Sequence, residues 1–152
     1  MEIREITTPD EKRRITRLIL ESLPDWFGIP EAREEYIEKS VKQPFFAALD
    51  GENAVGFLCL DETGKDTAEL YVMGVLKDYH RHGVGRRLFE AAKERAKVLG
   101  YSFLQVKTVQ MGKYPEYDAT NRFYLALGFR EFEVFPTLWD EWNPCQIYVM
   151  SL

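Results

Sequence analysis

The spacing of apolar residues divides the N-terminal part of the chain into short elements. Glu2–Ile6 alternates between apolar and polar positions, which predicts a short strand. Thr8-Pro-Asp then provides a helix start, and apolar residues at helical spacing carry this first helix to about Ser22. Pro24 ends that pattern. The charged segment 31–39 predicts a second helix with Tyr36 and Ile37 facing inward.

Three strand-like segments follow in succession. They are Phe45–Leu49, Ala54–Leu60 and Thr67–Val75. Turn sequences separate them at Asp50-Gly-Glu-Asn53 and at Asp61-Glu-Thr-Gly64. Short turns of this kind join antiparallel neighbours, so we expect the three strands to lie side by side.

The strongest helical pattern in the chain is Val84–Leu99, with one apolar stripe and a glycine, Gly100, at its end. Tyr101–Val109 then predicts a strand parallel to the one before the helix, because strand–helix–strand units connect parallel strands. A shorter helix over Asp118–Leu127 and two strands over Phe129–Phe135 and Gln146–Met150 complete the chain. The order predicts one α/β domain over residues 1–152, with a mixed sheet of six to seven strands and helices on both faces.

Composition narrows the class of protein. Hydrophobic residues make up 45% and charged residues 30% of the 152 residues, which is typical of a globular domain. No apolar run approaches the roughly 20 residues of a membrane helix, and the N-terminus does not resemble a signal peptide, so we expect a cytoplasmic protein without a membrane partner. The net charge of −5 argues against a nucleic-acid partner. Cys59 and Cys145 are too few for a disulfide framework.

A glycine-containing loop between a strand and the long helix suggests an anion site. Its sequence is Val75-Leu-Lys-Asp-Tyr-His-Arg-His-Gly-Val-Gly-Arg-Arg-Leu88. The first N–H groups of a helix lack intrahelical partners and attract phosphate. Gly83 and Gly85 remove side chains there, and neighbouring arginines add positive charge. A Rossmann fingerprint is excluded because Leu88 stands where its third glycine belongs, and the Gly-Lys-Ser/Thr of a Walker loop is absent.

A second motif follows the loop by one helix and one strand. In Thr120-Asn-Arg-Phe-Tyr-Leu-Ala-Leu-Gly-Phe129 the part from Phe123 onward resembles the pattern Asn-x-x-Phe-Tyr-x-x-x-Gly-Phe of the GNAT N-acetyltransferase superfamily, while Asn121 lies two rather than three residues before Phe123. The loop resembles that family's Gln/Arg-x-x-Gly-x-Gly/Ala motif, with His80 in the Gln/Arg place. The resemblance implies a GNAT fold whose sheet is splayed between its fourth and fifth strands. It also implies an acetyl-CoA-dependent enzyme.

The resemblance assigns the acetyl-CoA contacts residue by residue. They fall on the strand at Met73, Gly74 and Val75, and on the loop and helix start at His80, Arg81, His82, Gly83, Val84, Gly85 and Arg86. Asn121 is implied to hydrogen-bond the pantetheine arm, and Tyr124 to lie beside the thioester sulfur. Glycine at position 74 suits a bulge in the strand.

The chemistry of acetyl transfer suggests two catalytic residues. A primary amine has a pKa near 10 and must lose a proton before it attacks, while the departing thiolate gains from an acid. Tyr124 is the expected acid. Glu69 lies six residues before Val75, where histone acetyltransferases of this superfamily carry a glutamate, and either Glu69 or a water chain is the base. His80 and His82 lack further ligands nearby, so we expect no metal.

The acceptor site is expected between two loops rich in tryptophan. The candidate residues are Trp26, Phe27, Tyr114 and Trp139, with Asp25, Asp140 and Glu141 beside them. An aromatic and acidic wall suits an amine cation, although the same tryptophans could cover the core or form a homodimer contact. The predicted reaction is direct attack in a ternary complex on a small amine, a protein lysine or an N-terminus. The alternatives are a non-catalytic acyl-CoA-binding regulatory module and a protein-interaction domain.

Overall fold

The computed structural model describes all residues from 1 to 152. They form seven strands and four helices, joined by loops. The strands are β1 (Glu2–Glu5), β2 (Phe45–Asp50), β3 (Asn53–Gly64), β4 (Thr67–Val75), β5 (Phe103–Val109), β6 (Arg130–Phe135) and β7 (Cys145–Ser151). The helices are α1 (Pro9–Glu21), α2 (Pro30–Ser40), α3 (Val84–Val98) and α4 (Pro115–Leu127). A single 3-10 turn, Lys77–Tyr79, follows β4.

All strands join one sheet in the order β1-β2-β3-β4-β5-β7-β6, and only β4 and β5 are parallel. These two strands pair at just three positions, ending with Glu69 opposite Gln105. Beyond Glu69 the rest of β4, up to Val75, has no partner on that side. The predicted mixed sheet is therefore confirmed, and so is the splay between the fourth and fifth strands.

The helices cover both faces of the sheet and enclose two hydrophobic cores. On one face, α3 and α4 pack with residues such as Leu88 and Leu127 in a cluster of 18 buried side chains. On the other face, α1 contributes Ile15 and Ile19 to a cluster of 12. The expected placement of helices on both faces is confirmed. The gap between β4 and β5 lies in the sheet, between these two helical layers.

Two element boundaries differ from the predicted ones. β3 does not end at Leu60, because Asp61, Glu62 and Gly64 continue to pair with β4 although their side chains are polar. The turn therefore lies at residues 65–66 rather than at 61–64. Likewise α4 begins at Pro115 rather than Asp118. Proline is favourable in the first turn of a helix, because the backbone N–H that it lacks would form no hydrogen bond within the helix.

The expected bulge lies elsewhere on β4. Cys59 pairs with Val72 and Leu60 with Leu70, so Tyr71 is the extra residue, whereas Gly74 pairs regularly with Phe57. The prediction of a bulge at Gly74 was wrong. A Cβ at Gly74 would lie 2.9 Å from Ile19 Cγ2 in α1, so the glycine is needed for α1 to pack closely on the strand.

Replacing Gly74 with alanine is expected to destabilise the fold. The added Cβ overlaps Ile19 and Leu23 of α1, and overpacking of this kind costs about 1–3 kcal/mol. Chemical denaturation measures the loss. Gly64→Ala is the matched control, because a Cβ there meets no atom within 4 Å and its φ is not positive. Equal stability of the two variants would contradict the packing role of Gly74.

Candidate active site

The free edge of β4 directs backbone groups into the slot between β4 and β5. Leu76 donates its N–H to the carbonyl of Val55 in β3, and Gly74 pairs with β3 as well. Because backbone groups alternate in direction along a strand, Met73 and Val75 point the opposite way, towards β5. No strand pairs with them there, so their backbone groups line the slot.

His80 fixes the loop to the end of this strand. Its Nε2 lies 2.6 Å from the carbonyl oxygen of Val75. A carbonyl oxygen only accepts, so Nε2 carries the hydrogen. The ring also meets Trp26 edge-on, with 5.9 Å between ring centroids. His80 thus braces the loop against β4. No group of three or more His, Cys, Asp or Glu side chains is placed to hold a metal ion.

The start of α3 presents unpaired N–H groups. The first backbone bond of the helix runs from Arg87 N–H to Gly83 O, at 3.1 Å, and no side chain caps the end. The N–H groups of Val84, Gly85 and Arg86 are therefore free at the positive end of the helix dipole. Arg81 and His82 are exposed immediately before them. This arrangement is suited to an anion such as a phosphate.

The two glycines of the loop serve different purposes. Gly83 has a φ of +78°, which favours glycine, and a Cβ there would meet nothing within 4 Å. The space beside it is open to a ligand. At Gly85, by contrast, a Cβ would lie 2.9 Å from Phe123 Cζ, so the missing side chain lets α4 pack against α3. Arg86 strengthens this contact by donating to the carbonyl of Ala126 at 3.1 Å.

Tyr124 lies in the core on the α3/α4 face of the sheet and is held as a neutral phenol. Its side chain belongs to the core cluster on that face and is only 7% exposed. Burial raises the pKa of Tyr124 well above its ordinary value, and the charge of Glu69 raises it further. No group in the chain hydrogen-bonds its hydroxyl. The phenol is therefore protonated near neutral pH and free to donate.

Asn121 has a different environment from the one the family resemblance implied. It is fully buried, and its Nδ2 donates to Val109 O at 2.8 Å and to Tyr117 O at 2.7 Å. Its Oδ1 accepts from the hydroxyl of Tyr148. Both amide hydrogens are used within the protein, and the expected hydrogen bond to pantetheine stays a prediction that leaves only the second lone pair of Oδ1 for it. Asn121 ties α4 to β5 and β7.

Glu69 lies on the opposite face of the slot and is paired with a lysine. Lys107 Nζ is 2.9 Å from Glu69 Oε1, and Glu69 is 7% exposed. Burial raises the pKa of Glu69, and the hydrogen bond and charge of Lys107 oppose that rise. Lys107 was not anticipated from the sequence. The one signal was a lysine inside the apolar strand segment Tyr101–Val109.

A cleft of about 220 Å³ opens beside Glu69 on the α2 face. It is lined by Ala32, Glu35, Tyr36, Glu69, Tyr71, Lys107 and Trp139. The rings of Tyr36 and Tyr71 meet edge-on at 5.2 Å. The bulge places Tyr71 on this face, because it shifts the alternation of side chains along β4. A larger hollow of about 300 Å³ lies apart from the slot, between Lys42 and Tyr101.

The four predicted acceptor residues have different positions relative to the cleft. Trp139 lines it, and Phe27 lies behind it with its ring 5.9 Å from that of Tyr36. Trp26 and Tyr114 do not line it. Trp26 Nε1 donates to Glu116 O at 3.3 Å, and the hydroxyl of Tyr114 donates to Asn143 Oδ1 at 2.9 Å. These two residues join the loops around the slot.

The acidic residues beside the tryptophans are used elsewhere. Asp25 pairs with Lys77 at 2.9 Å. Asp140 accepts the backbone N–H groups of Trp142 and Asn143, both at 2.8 Å, and so shapes its own loop. Asp25 and Asp140 are thus engaged within the protein and Glu141 is exposed, whereas the carboxylates that line the cleft come from Glu35 and Glu69.

Comparison with known proteins gives a consistent result. Residues 42–131 match the family model described as the acetyltransferase (GNAT) domain. A GNAT-family protein from Desulfovibrio desulfuricans superposes with a TM-score of 0.84 at 20% identity, covering 99% of this chain and 98% of that one. An aminoglycoside 6'-N-acetyltransferase complexed with coenzyme A gives 0.80 at 19% identity, covering 99% and 97%.

A third solved structure has the same fold. It is the ribosomal-protein-S18-alanine N-acetyltransferase from Escherichia coli, with a TM-score of 0.77 at 19% identity, covering 99% of this chain and 92% of that one. No curated protein sequence matches the chain significantly. None of the helices combines the length and apolar character needed to cross a membrane.

Proposed function

The chain belongs to the GNAT acetyltransferase family, and we propose that it transfers an acetyl group from acetyl-CoA to a primary amine by direct attack in a ternary complex. One observation carries this proposal: a candidate acid and a candidate base lie on opposite faces of the sheet whose strands β4 and β5 splay apart. Tyr124 lies on the α3/α4 face, whereas Glu69 and its cleft lie on the α2 face. Donor and acceptor can therefore meet from opposite sides.

The residues present fit acetyl-CoA. The free N–H groups of Val84, Gly85 and Arg86 suit its phosphates, and the open space at Gly83 admits them. The unpaired backbone groups of Met73 and Val75 suit the amides of pantetheine, although the Val75 carbonyl already accepts from His80. When bound, acetyl-CoA supplies an activated acetyl thioester.

Tyr124 is the proposed acid. A thiol of ordinary pKa, about 8.5, leaves more readily when a proton is donated to its sulfur. The raised pKa of Tyr124 keeps its hydroxyl protonated at the pH where the enzyme works. Its hydroxyl is free of partners in the chain, so donation breaks no existing hydrogen bond.

Glu69 is the proposed base. An alkylammonium of pKa near 10 must lose its proton before the nitrogen can attack. The carboxylate of Glu69 lines the cleft, and Lys107 at 2.9 Å opposes the rise in its pKa that burial causes. Lys107 has a second effect, because a positive charge beside the acceptor disfavours its ammonium form. The charge of Lys107 therefore favours the neutral amine, and Glu69 is the group that takes its proton.

The proposed function is tested by measuring thiol release from acetyl-CoA in the presence of amines. The panel comprises alkylamines, diamines, aminoglycosides and peptides with free N-termini or lysines. We expect amine-dependent release of CoA, with the acetylated amine identified by mass spectrometry in equal amount. Tight binding of acetyl-CoA without acetylation of any class would instead favour a regulatory acyl-CoA-binding module. Absence of acetyl-CoA binding would overturn both interpretations.

A further inference from the structure

The cleft beside Glu69 has an unpaired carboxylate at its mouth. The charge of Glu69 is already matched by Lys107 at 2.9 Å. Glu35 on α2 is exposed and has no basic partner, whereas its neighbour Glu34 pairs with Arg17 at 2.9 Å. The lining of the cleft therefore carries two carboxylates and one ammonium, which leaves one negative charge unmatched.

Resting on the proposed function, we propose that the acceptor is a diamine or polyamine, whose far ammonium binds between Glu35 and the ring of Trp139. Its reacting amine then lies at Glu69. The two carboxylates differ in depth, since Glu69 is 7% exposed and Glu35 lies at the surface. A linear acceptor with a charge at each end matches this arrangement.

The cleft offers carboxylate oxygens, which only accept hydrogen bonds, and two phenol hydroxyls, which both donate and accept. The hydroxyls of Tyr36 and Tyr71 have no partner in the chain, and the carboxylates of Glu35 and Glu69 accept only. Both carboxylates raise the pKa of Tyr36 after the larger effect of burial, which indicates that the two charges act on the same phenol. An ammonium carries three N–H donors and no acceptor, so it complements such a surface.

The aromatic rings provide the second part of the site. The rings of Tyr36 and Tyr71 form an edge-on pair at 5.2 Å, and Trp139 lines the same cleft. Lys39 Nζ lies 4.7 Å from the centroid of the Tyr71 ring, so this ring already holds a cation of the protein and the ring of Trp139 is left for the ligand. The charge of Lys39 is shared with Asp61, 4.0 Å away, and does not neutralise Glu35.

Three amines of equal chain length test the inference. Pentylamine, cadaverine and δ-aminovalerate present a methyl group, an ammonium and a carboxylate at the far end. We expect kcat/KM to be highest for cadaverine, lower for pentylamine and lowest for δ-aminovalerate. Cadaverine should exceed pentylamine about tenfold, because one charge-assisted contact contributes about that much. In Glu35→Gln this advantage of cadaverine over pentylamine should largely disappear.

Glu90→Gln is the matched control, because it removes one exposed carboxylate from α3, on the other face of the sheet. It should retain the preference for cadaverine. Equal turnover of cadaverine and pentylamine by the unmodified protein would overturn the inference and leave the proposed function intact. A preference that survives in Glu35→Gln would overturn the assigned site. Failure to acetylate any of the three, with acetyl-CoA bound, would overturn the inference and count against the proposed function as well.

Discussion

Replacing Tyr124 with phenylalanine will lower kcat by about 100-fold, the usual contribution of a positioned acid, and will leave acetyl-CoA binding intact. The ring fills the same volume in the α3/α4 core, so packing against Phe129 and Tyr148 is retained. Only the hydroxyl is lost, and it makes no hydrogen bond within the protein that the fold would miss. Steady-state thiol release and calorimetric titration with acetyl-CoA measure the two quantities.

Tyr101→Phe serves as the control for this change. Its hydroxyl donates to Glu62 Oε1 at 2.7 Å, outside the slot, and its removal should leave kcat unaffected. A normal kcat in Tyr124→Phe would mean that the thiolate leaves without this acid. A parallel loss of acetyl-CoA affinity would instead show that the hydroxyl contributes to binding.

The fold was predictable because its main signals are local. The alternation along Ala54–Leu60 and the apolar stripe of Val84–Leu99 each specify an element without knowledge of the rest. The order strand–helix–strand then required a parallel pair. The errors occurred where local composition and pairing disagree, as at Asp61 and Glu62, whose polar side chains suggest a turn although their backbones continue the ladder with β4.

The slot was predictable in part. The loop from His80 to Arg86 and the Tyr124 segment are short continuous motifs, so their positions can be read from the sequence. The bulge at Tyr71 has no such signal, since register depends on the partner strand. Gly74 suggested a bulge, but its role is set by Ile19, which lies 55 residues earlier in the chain.

The acceptor cleft was the least predictable part. Its charged and aromatic lining comes from α2, β4, β5 and the loop before β7, and no sequence pattern links these segments. Tryptophans in loops drew attention to Asp25 and Asp140, yet both carboxylates have partners within their own surroundings. A carboxylate is available to a ligand only if no basic group pairs with it in the folded protein. Lys107, which pairs with Glu69, is a basic group of this kind.

Glu69→Gln is expected to lower kcat/KM for the acceptor by about 100-fold at neutral pH, because the amide cannot take a proton from the amine. Glutamine keeps an oxygen that accepts from Lys107, so the cleft should retain its shape. Glu62→Gln, on the exposed end of β3, is the matched control and should remain active. Retained activity in Glu69→Gln would indicate that a water chain, rather than this carboxylate, accepts the proton.

The pH profile separates the basic role of Glu69 from a structural one. A base acts when ionised, so activity falls as pH drops through its pKa, which burial raises above the ordinary carboxyl value. Lys107 opposes that rise, and Lys107→Met should therefore move the acidic limb of kcat/KM to higher pH while the carboxylate remains. In Glu69→Gln the acidic limb should disappear. If the unmodified protein, Lys107→Met and Glu69→Gln all show the acidic limb at the same pH, the limb belongs to the titration of a group other than Glu69.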